Sequence, residues 1–219
     1  MPEKIQTSTN SKTSTGFPVL DTHIFGLILR FLQLFIWAPP VKLIAYFTVK
    51  RKYVSPQLKP DHTKTFVIAS NHQSAFDHFM ILACLPLNFL VKESPFRFMT
   101  LHKYFTYLPF RVFLIFCGSF PAKPIHNHIF GLDAAERLLK IGHTVLIYPE
   151  GTRTLPGEKE PKSGVTVLAK MENVMVIPAK IMWYKKSSGR RTCTVSIDAA
   201  IDARDMSAQD IMDHIYRLP

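Results

Sequence analysis

From Ile24 to Val49 the chain is apolar and aromatic almost throughout, with Arg30 and Lys42 inside the run and Pro39-Pro40 splitting it. A proline lacks the N–H that an interior helical turn uses, and its ring crowds the carbonyl four residues back. The pattern therefore predicts one helix ending near Trp37-Ala38 and a second beginning at Val41. Each half falls short of the ~20 residues needed to span a bilayer, so two short helices lying in a membrane interface are expected. Phe31, Phe35, Trp37 and Tyr46 would sit at headgroup depth, with Arg30, Lys42 and the run Lys50-Arg51-Lys52 facing anionic lipid. Ahead of this segment, Met1 to Gly16 is rich in Ser, Thr, Asn and Lys, a composition that cannot offset the entropy of ordering. The expected organisation is a mobile polar arm over 1–20, an interfacial helical membrane-anchoring segment over 21–52, and a folded domain over 60–219.

After the Pro-containing connector Tyr53 to Asp61 the pattern alternates. Short apolar runs at Phe66–Ser70, Asn88–Val91, Thr144–Tyr148, Val174–Met182 and Thr192–Ile197 read as strands. Helices are predicted over Ala75–Leu85, in pieces of Phe96–Phe116 around Pro109, and over His126–Ile141, Ser163–Met171 and Ala208–Tyr216. Strands separated by helices give a single α/β domain with a mostly parallel mixed sheet flanked by helices. Its chemistry belongs at the carboxyl ends of the strands.

Charge narrows the partner. The formal net charge of +11 points to an anionic one, and 47% hydrophobic residues with seventeen Phe suit a lipid surface better than a polynucleotide. Lys and Arg are scattered rather than striped and no base-reading module is present, so nucleic acid is not expected. Cys84, Cys117 and Cys193 are odd in number, far apart and set in apolar runs, which marks them as small core hydrophobes.

Two polar clusters follow predicted strands. Asn71-His72-Gln73-Ser74-Ala75-Phe76-Asp77 follows the first. His72 can take and return a proton near neutral pH, and Asp77 can orient its imidazole. Ser74 and Asp77 also fit a helix-capping pair, with Ser74 as N-cap and Asp77 facing the positive end of the dipole. Backbone N–H groups at the start of that helix could meet a developing oxyanion. Tyr148-Pro149-Glu150-Gly151-Thr152-Arg153 ends a later strand with a carboxylate, a glycine and a guanidinium. Arginine is the side chain best shaped to grip a phosphate through two parallel hydrogen bonds. A β-turn with a surface ion pair is the plainer reading.

Taken together, Asn71-His72-x-Ser74-x-x-Asp77 and Tyr148-Pro149-Glu150-Gly151-Thr152-Arg153 resemble the first and third blocks of the glycerolipid acyltransferase superfamily, specifically the 1-acylglycerol-3-phosphate (lysophosphatidate) acyltransferases. Gly118-Ser119-Phe120-Pro121-Ala122-Lys123 is similar to the block between them, with Ala122-Lys123 where many members carry Asp-Arg, and Val174 to Ala179 is similar to the last. The likeness runs from about Phe66 to Met182. It implies a glycerol-3-phosphate acyltransferase-like fold over 60–219 and transfer of an acyl group from acyl-CoA or acyl carrier protein to a lysophospholipid hydroxyl. It further implies His72 as general base and Asp77 as its orienter, with Glu150, Gly151, Thr152, Arg153, Lys123, Lys92 and Ser74 holding the substrate. No metal or bound cofactor is expected, and the setting is the cytoplasmic face of a membrane, held monotopically. Glycerol 3-phosphate or another lyso-lipid is the alternative acceptor. Rival readings are a non-catalytic basic lipid-binding protein and a metal hydrolase using His72, Asp77 and His78.

Overall fold

The computed structural model describes residues 21–125, 128–153, 158–185, 189 and 191–219. Eight strands form one sheet in the order β1-β8-β7-β2-β6-β3-β4-β5. They are β1 (Val49–Val54), β2 (Thr65–Ser70), β3 (Phe96–Leu101), β4 (Ser119–Ile125), β5 (His128–Phe130), β6 (Thr144–Ile147), β7 (Val174–Lys185) and β8 (Arg191–Ile197). Pairing is parallel except for β7 with β8 and β4 with β5.

The centre of the sheet is buried on both faces, as parallel sheets are. Along β2 the period-2 alternation sends Phe66 and Ile68 to one face and Val67 and Ala69 to the other. The first face is covered by α3 (Asp77–Cys84) and α4 (Leu87–Glu93), through Met80, Ile81, Cys84, Phe89 and Leu90. The second is covered by α6 (Leu132–Lys140), α7 (Gly164–Ala169) and α8 (Ala208–Arg217), through Leu138, Leu168, Ile211 and Ile215. The three cysteines are free and buried, and burial pushes the thiols up, Cys84 to about 11 and Cys117 and Cys193 to about 12. They are core groups.

The amino-terminal segment departs from expectation. One uninterrupted helix runs from His23 to Thr48, as α1 (His23–Phe31), a π-helical stretch (Leu32–Trp37) and α2 (Ala38–Thr48). The π register explains why Pro39-Pro40 does not break it: the Ala38 N–H reaches back to the Gln33 carbonyl, and the prolines then fall in the first turn of α2, where no N–H is needed. At 26 residues, about 39 Å at 1.5 Å per residue, the helix is long and apolar enough to cross a bilayer. It nevertheless lies against the domain along its length. Arg30 Nη2 donates to the Val91 carbonyl and Lys42 Nζ to the Ala83 carbonyl, at 2.7 and 3.3 Å. Between them the buried Gln33 amide donates to the Phe96 and Cys117 carbonyls at 2.7 and 3.2 Å and accepts from the Phe96 N–H at 2.8 Å.

Gly118 makes that seam possible. It caps α5 (Leu108–Cys117) with φ +101°, and a Cβ there would stand 2.4 Å from the Phe96 carbonyl and 2.7 Å from Gln33 Nε2.

Four other elements differ from the sequence expectation. Asn88–Val91 is not a strand but part of α4, because Pro86 and the buried Phe89 and Leu90 seat a short helix on the sheet. The front of Phe96–Phe116 is β3, inserted between β6 and β4. The helix expected from His126 begins at Leu132, after β5 has turned back on β4; residues 126–127 lie outside the described set. Lys50-Arg51-Lys52 is not a loose basic run but lies in the edge strand β1, exposed.

Candidate active site

β2 stops hydrogen-bonding as a strand at Ser70, yet the next residues stay tied to β7 through side-chain amides. Asn71 Nδ2 donates to the Ile181 carbonyl and Asn71 Oδ1 accepts the Ile181 N–H, both at 2.8 Å. Gln73 Oε1 accepts the Trp183 N–H at 2.9 Å. These amides stand in for a backbone ladder while freeing the main chain to turn, and they hold His72 between two fixed points.

The His72 Nδ1 lies 2.9 Å from Asp77 Oδ2. That oxygen also accepts the Gln73 and Ser74 N–H groups at 2.7 and 2.8 Å, and Oδ1 accepts the Trp183 indole Nε1–H at 2.7 Å. Asp77 is fully buried, so a carboxylate satisfied by four donors is the form this pocket accepts. A carboxylate acceptor at Nδ1 keeps that nitrogen protonated and leaves the Nε2 lone pair available. Among the described residues no hydrogen bond engages Nε2. The imidazole is stacked on the Tyr148 ring, centroids 3.9 Å apart and planes 15° off parallel, and burial holds that phenol well above its ordinary range.

The helix-capping expectation is corrected in part. α3 begins at Asp77, not Ala75, and Ser74 Oγ accepts the Phe76 N–H at 3.3 Å rather than capping the helix. Of the N–H groups at the start of the expected helix that could face an oxyanion, Phe76 donates to Ser74 Oγ and Asp77 to the Ser74 carbonyl.

The second cluster meets the first because β2 and β6 are parallel neighbours, with Ala69 opposite Ile147. Glu150 is 2% exposed. Its Oε2 accepts the His72 N–H at 3.1 Å and its Oε1 accepts the Tyr216 hydroxyl from α8. Glu150 therefore holds the histidine in place from beneath rather than facing the crevice. Gly151, at φ +70°, turns the chain outward with Lys162 lying over it, and Lys159 Nζ donates to Thr152 Oγ1 at 3.3 Å. Arg153 is exposed and donates to the Tyr104 hydroxyl at 3.0 Å, with the Lys103 ammonium over the same tyrosine ring. These residues form a basic rim beside the His72–Asp77 dyad.

Two expected residues do not join this rim. Lys92 is exposed at the end of α4, next to Glu93, whose carbonyl accepts from Thr144 Oγ1 at the amino end of β6, so it sits at the opposite end of the strands from the dyad. Lys123 is on β4 by its backbone, and its side chain lies outside the described set. His78, the third ligand of the metal reading, sits against the Phe79 and Phe98 rings, and burial lowers it to about 4. Among the described residues no three His, Cys, Asp or Glu side chains converge to hold a metal. Trp183 and Tyr216 are the site residues that sequence reasoning missed, since nothing local marks an aromatic residue as the partner of a distant carboxylate; Tyr148 lies within the second sequence cluster, and only its stacking on His72 went unforeseen.

The single α/β domain with its mostly parallel mixed sheet agrees with the comparisons with known proteins. Residues 47–182 match the family model described as Acyltransferase. The chain belongs to that family, whose chemistry is acyl transfer in lipid metabolism. Among solved structures it is similar to the crystal structure of the 1-acyl-sn-glycerophosphate (LPA) acyltransferase PlsC from Thermotoga maritima. The TM-score is 0.52 at 16% identity, covering 88% of this chain and 90% of that one. Comparison with curated protein sequences gave no match.

Proposed function

We propose that the protein transfers a fatty acyl group from an acyl thioester to the free hydroxyl of a lysophospholipid, with 1-acylglycerol 3-phosphate giving phosphatidate as the preferred pair. The observation that carries this reading is the His72 Nδ1 to Asp77 Oδ2 contact at 2.9 Å with Nε2 left open, beside the rim of Arg153, Lys159 and Lys162. His72 Nε2 takes the proton of the acceptor hydroxyl as its oxygen attacks the thioester carbon. Asp77 stabilises the imidazolium. When the tetrahedral adduct collapses, the C–S bond breaks and the departing thiolate takes the proton from His72, which restores the neutral base. The donor, acyl-CoA or acyl carrier protein, is a substrate, and no bound cofactor enters the steps. Arg153 and its neighbours hold the acceptor's phosphate, so orientation supplies a share of the rate.

The same reading places the work at a membrane surface. Ile24, Leu27, Phe31, Phe35, Leu43, Ile44 and Phe47 are exposed on the amino-terminal helix, and Leu108, Phe110 and Phe116 on α5, with Trp37 packed edge-on against Phe113 to join the two. Because the helix is tied to the domain at Arg30, Gln33 and Lys42, this apolar face supports in-plane, monotopic docking on the cytoplasmic leaflet rather than a span.

The test offers labelled acyl-CoA and labelled acyl carrier protein, each with lysophosphatidate, glycerol 3-phosphate or another lyso-lipid, to the detergent-solubilised protein. Labelled phosphatidate that disappears in His72→Ala supports the proposal. Lipid binding without transfer, or an active His72→Ala protein, overturns it.

A further inference from the structure

The dyad is not self-supporting. Three of the four donors on the Asp77 carboxylate converge on Oδ2, and two of those, the Gln73 and Ser74 N–H groups, belong to the loop that the carboxylate itself organises. A carboxylate held at one oxygen can still swing about its Cβ–Cγ bond, which would carry Oδ2 out of line with His72. Among the described residues the one donor to Oδ1 is the indole Nε1–H of Trp183, at 2.7 Å. That indole comes from β7, a different element from the loop. Trp183 is itself fixed, because its backbone N–H is held by Gln73 Oε1 at 2.9 Å and its ring packs on the core cluster beneath β7 and β8. It thus grips the loop at Gln73 and at Asp77, both on the carboxyl side of His72, while Asn71 on the amino side is held by Ile181.

We propose that Trp183 is a positioning residue of the His72–Asp77 dyad, its indole N–H setting both the rotation of the Asp77 carboxylate and the share of negative charge that faces the imidazole. This inference rests on the acyl-transfer reading of the dyad. The indole N–H draws charge density towards Oδ1. Without it more charge stands on Oδ2, which favours the imidazolium, whereas a carboxylate that swings off His72 disfavours it; the two effects do not cancel in general, and the pH at which the neutral base is available moves. The other titratable groups facing the dyad are Glu150 and Tyr148 beyond β6, His78 on α3, Cys193 on β8 and, behind Glu150, Tyr216 on α8. Replacing Trp183 changes none of them.

The experiment uses the full chain in detergent with acyl-CoA and lysophosphatidate, comparing the parent with Trp183→Phe. The expected result is a kcat about 10-fold lower at neutral pH, with both KM values within about two-fold. The acid limb of the kcat/KM–pH profile should move by about half a unit to one unit, upward where charge gathered on Oδ2 dominates and downward where the freed carboxylate swings off His72. The downfield proton resonance of the His72 Nδ1–H···Asp77 bond should shift as well. Should Trp183→Phe fail to fold, replacing Trp183 with benzothienylalanine keeps the ring shape and removes only the N–H, with Trp37→Phe as its background. A pH profile and a resonance that both stay in place, whatever the drop in kcat, would make Trp183 a packing residue and overturn the inference. An active His72→Ala protein overturns the acyl-transfer reading instead, so the two failures are distinguishable.

Discussion

Replacing Asp77 by Asn probes the dyad with almost no change in volume. The carboxylate receives His72 Nδ1–H, Gln73 N–H and Ser74 N–H on Oδ2 and the Trp183 indole N–H on Oδ1. An amide has one acceptor oxygen. With that oxygen at the Oδ2 position, three bonds survive and the new NH2 faces the Trp183 N–H, donor against donor. In the opposite orientation three donors are lost, and His72 can bond the amide only by moving its proton to Nε2, where it is no longer a base. The first orientation costs less, and it leaves a neutral dipole where an imidazolium needs an anion. The energy of the Trp183 bond is lost in ground and transition states alike and by itself leaves kcat untouched; what lowers kcat is the missing anion beside a developing imidazolium in a buried site, about 3–5 kcal/mol. That corresponds to a fall in kcat of about 10³-fold, at about 1.4 kcal/mol per decade. Thermal stability should change little by comparison, because Asn also removes the burden of burying a charge. The assay follows release of free CoA thiol at saturating lysophosphatidate, with the melting midpoint measured on the same preparation. An Asp77→Asn enzyme retaining more than about a tenth of parental kcat, while His72→Ala is dead, would refute the orienting and charge-stabilising role.

Three further outcomes are expected. Arg153→Ala, which removes an exposed guanidinium held by Tyr104, should raise KM for the phosphorylated acceptor about 10-fold or more with kcat nearly unchanged; a lower kcat at constant KM would contradict a phosphate grip. His143, 5% exposed, is lowered to about 4 by desolvation first and by the nearby Arg97 second. Because the folded value lies below the unfolded one, this residue's contribution is constant above about pH 7, falls as pH drops from about 6.5 to 4, and is flat below that. The total is about 3 kcal/mol. Denaturant melts of the parent and His143→Gln across that window should diverge by this slope, and parallel curves would refute it. Phe35→Asp with Phe116→Asp, placing charge on the exposed apolar face, should lower sedimentation with anionic vesicles about 10-fold while leaving activity on detergent-dispersed substrate intact; unchanged sedimentation would remove that face from the membrane contact.

Legibility in the sequence follows the range of the interactions. β2, β6 and β8 and helices α7 and α8 were readable because each is a short periodic segment bounded by its own turn residues. Asn88–Val91, expected as a strand, lies within α4: a short apolar run carries no periodicity that separates strand from helix, and only docking of Phe89 and Leu90 decides it. The amino-terminal helix was misread for a different reason. Pro39-Pro40 forbids an α-register donor, and nothing local foretells a π turn that removes the conflict one turn earlier.

The candidate site divides along the same line. The five-residue spacing of His72 and Asp77 determined that a loop could bring base and carboxylate together, and the residue types determined that one could move a proton and the other orient it. The order of strands decided everything else. β2 lies between β6 and β7, so Glu150 comes under His72 from one neighbour and Trp183 comes onto Asp77 from the other, with Tyr216 reaching in from α8. Tertiary structure also turned Glu150 away from the crevice, where its sequence neighbours Thr152 and Arg153 remain: at 2% exposure, with its oxygens turned to the His72 N–H and the Tyr216 hydroxyl, it is out of a substrate's reach. Side-chain chemistry is written in the residue, whereas the partner that tunes it is set by which strands the folded sheet makes adjacent.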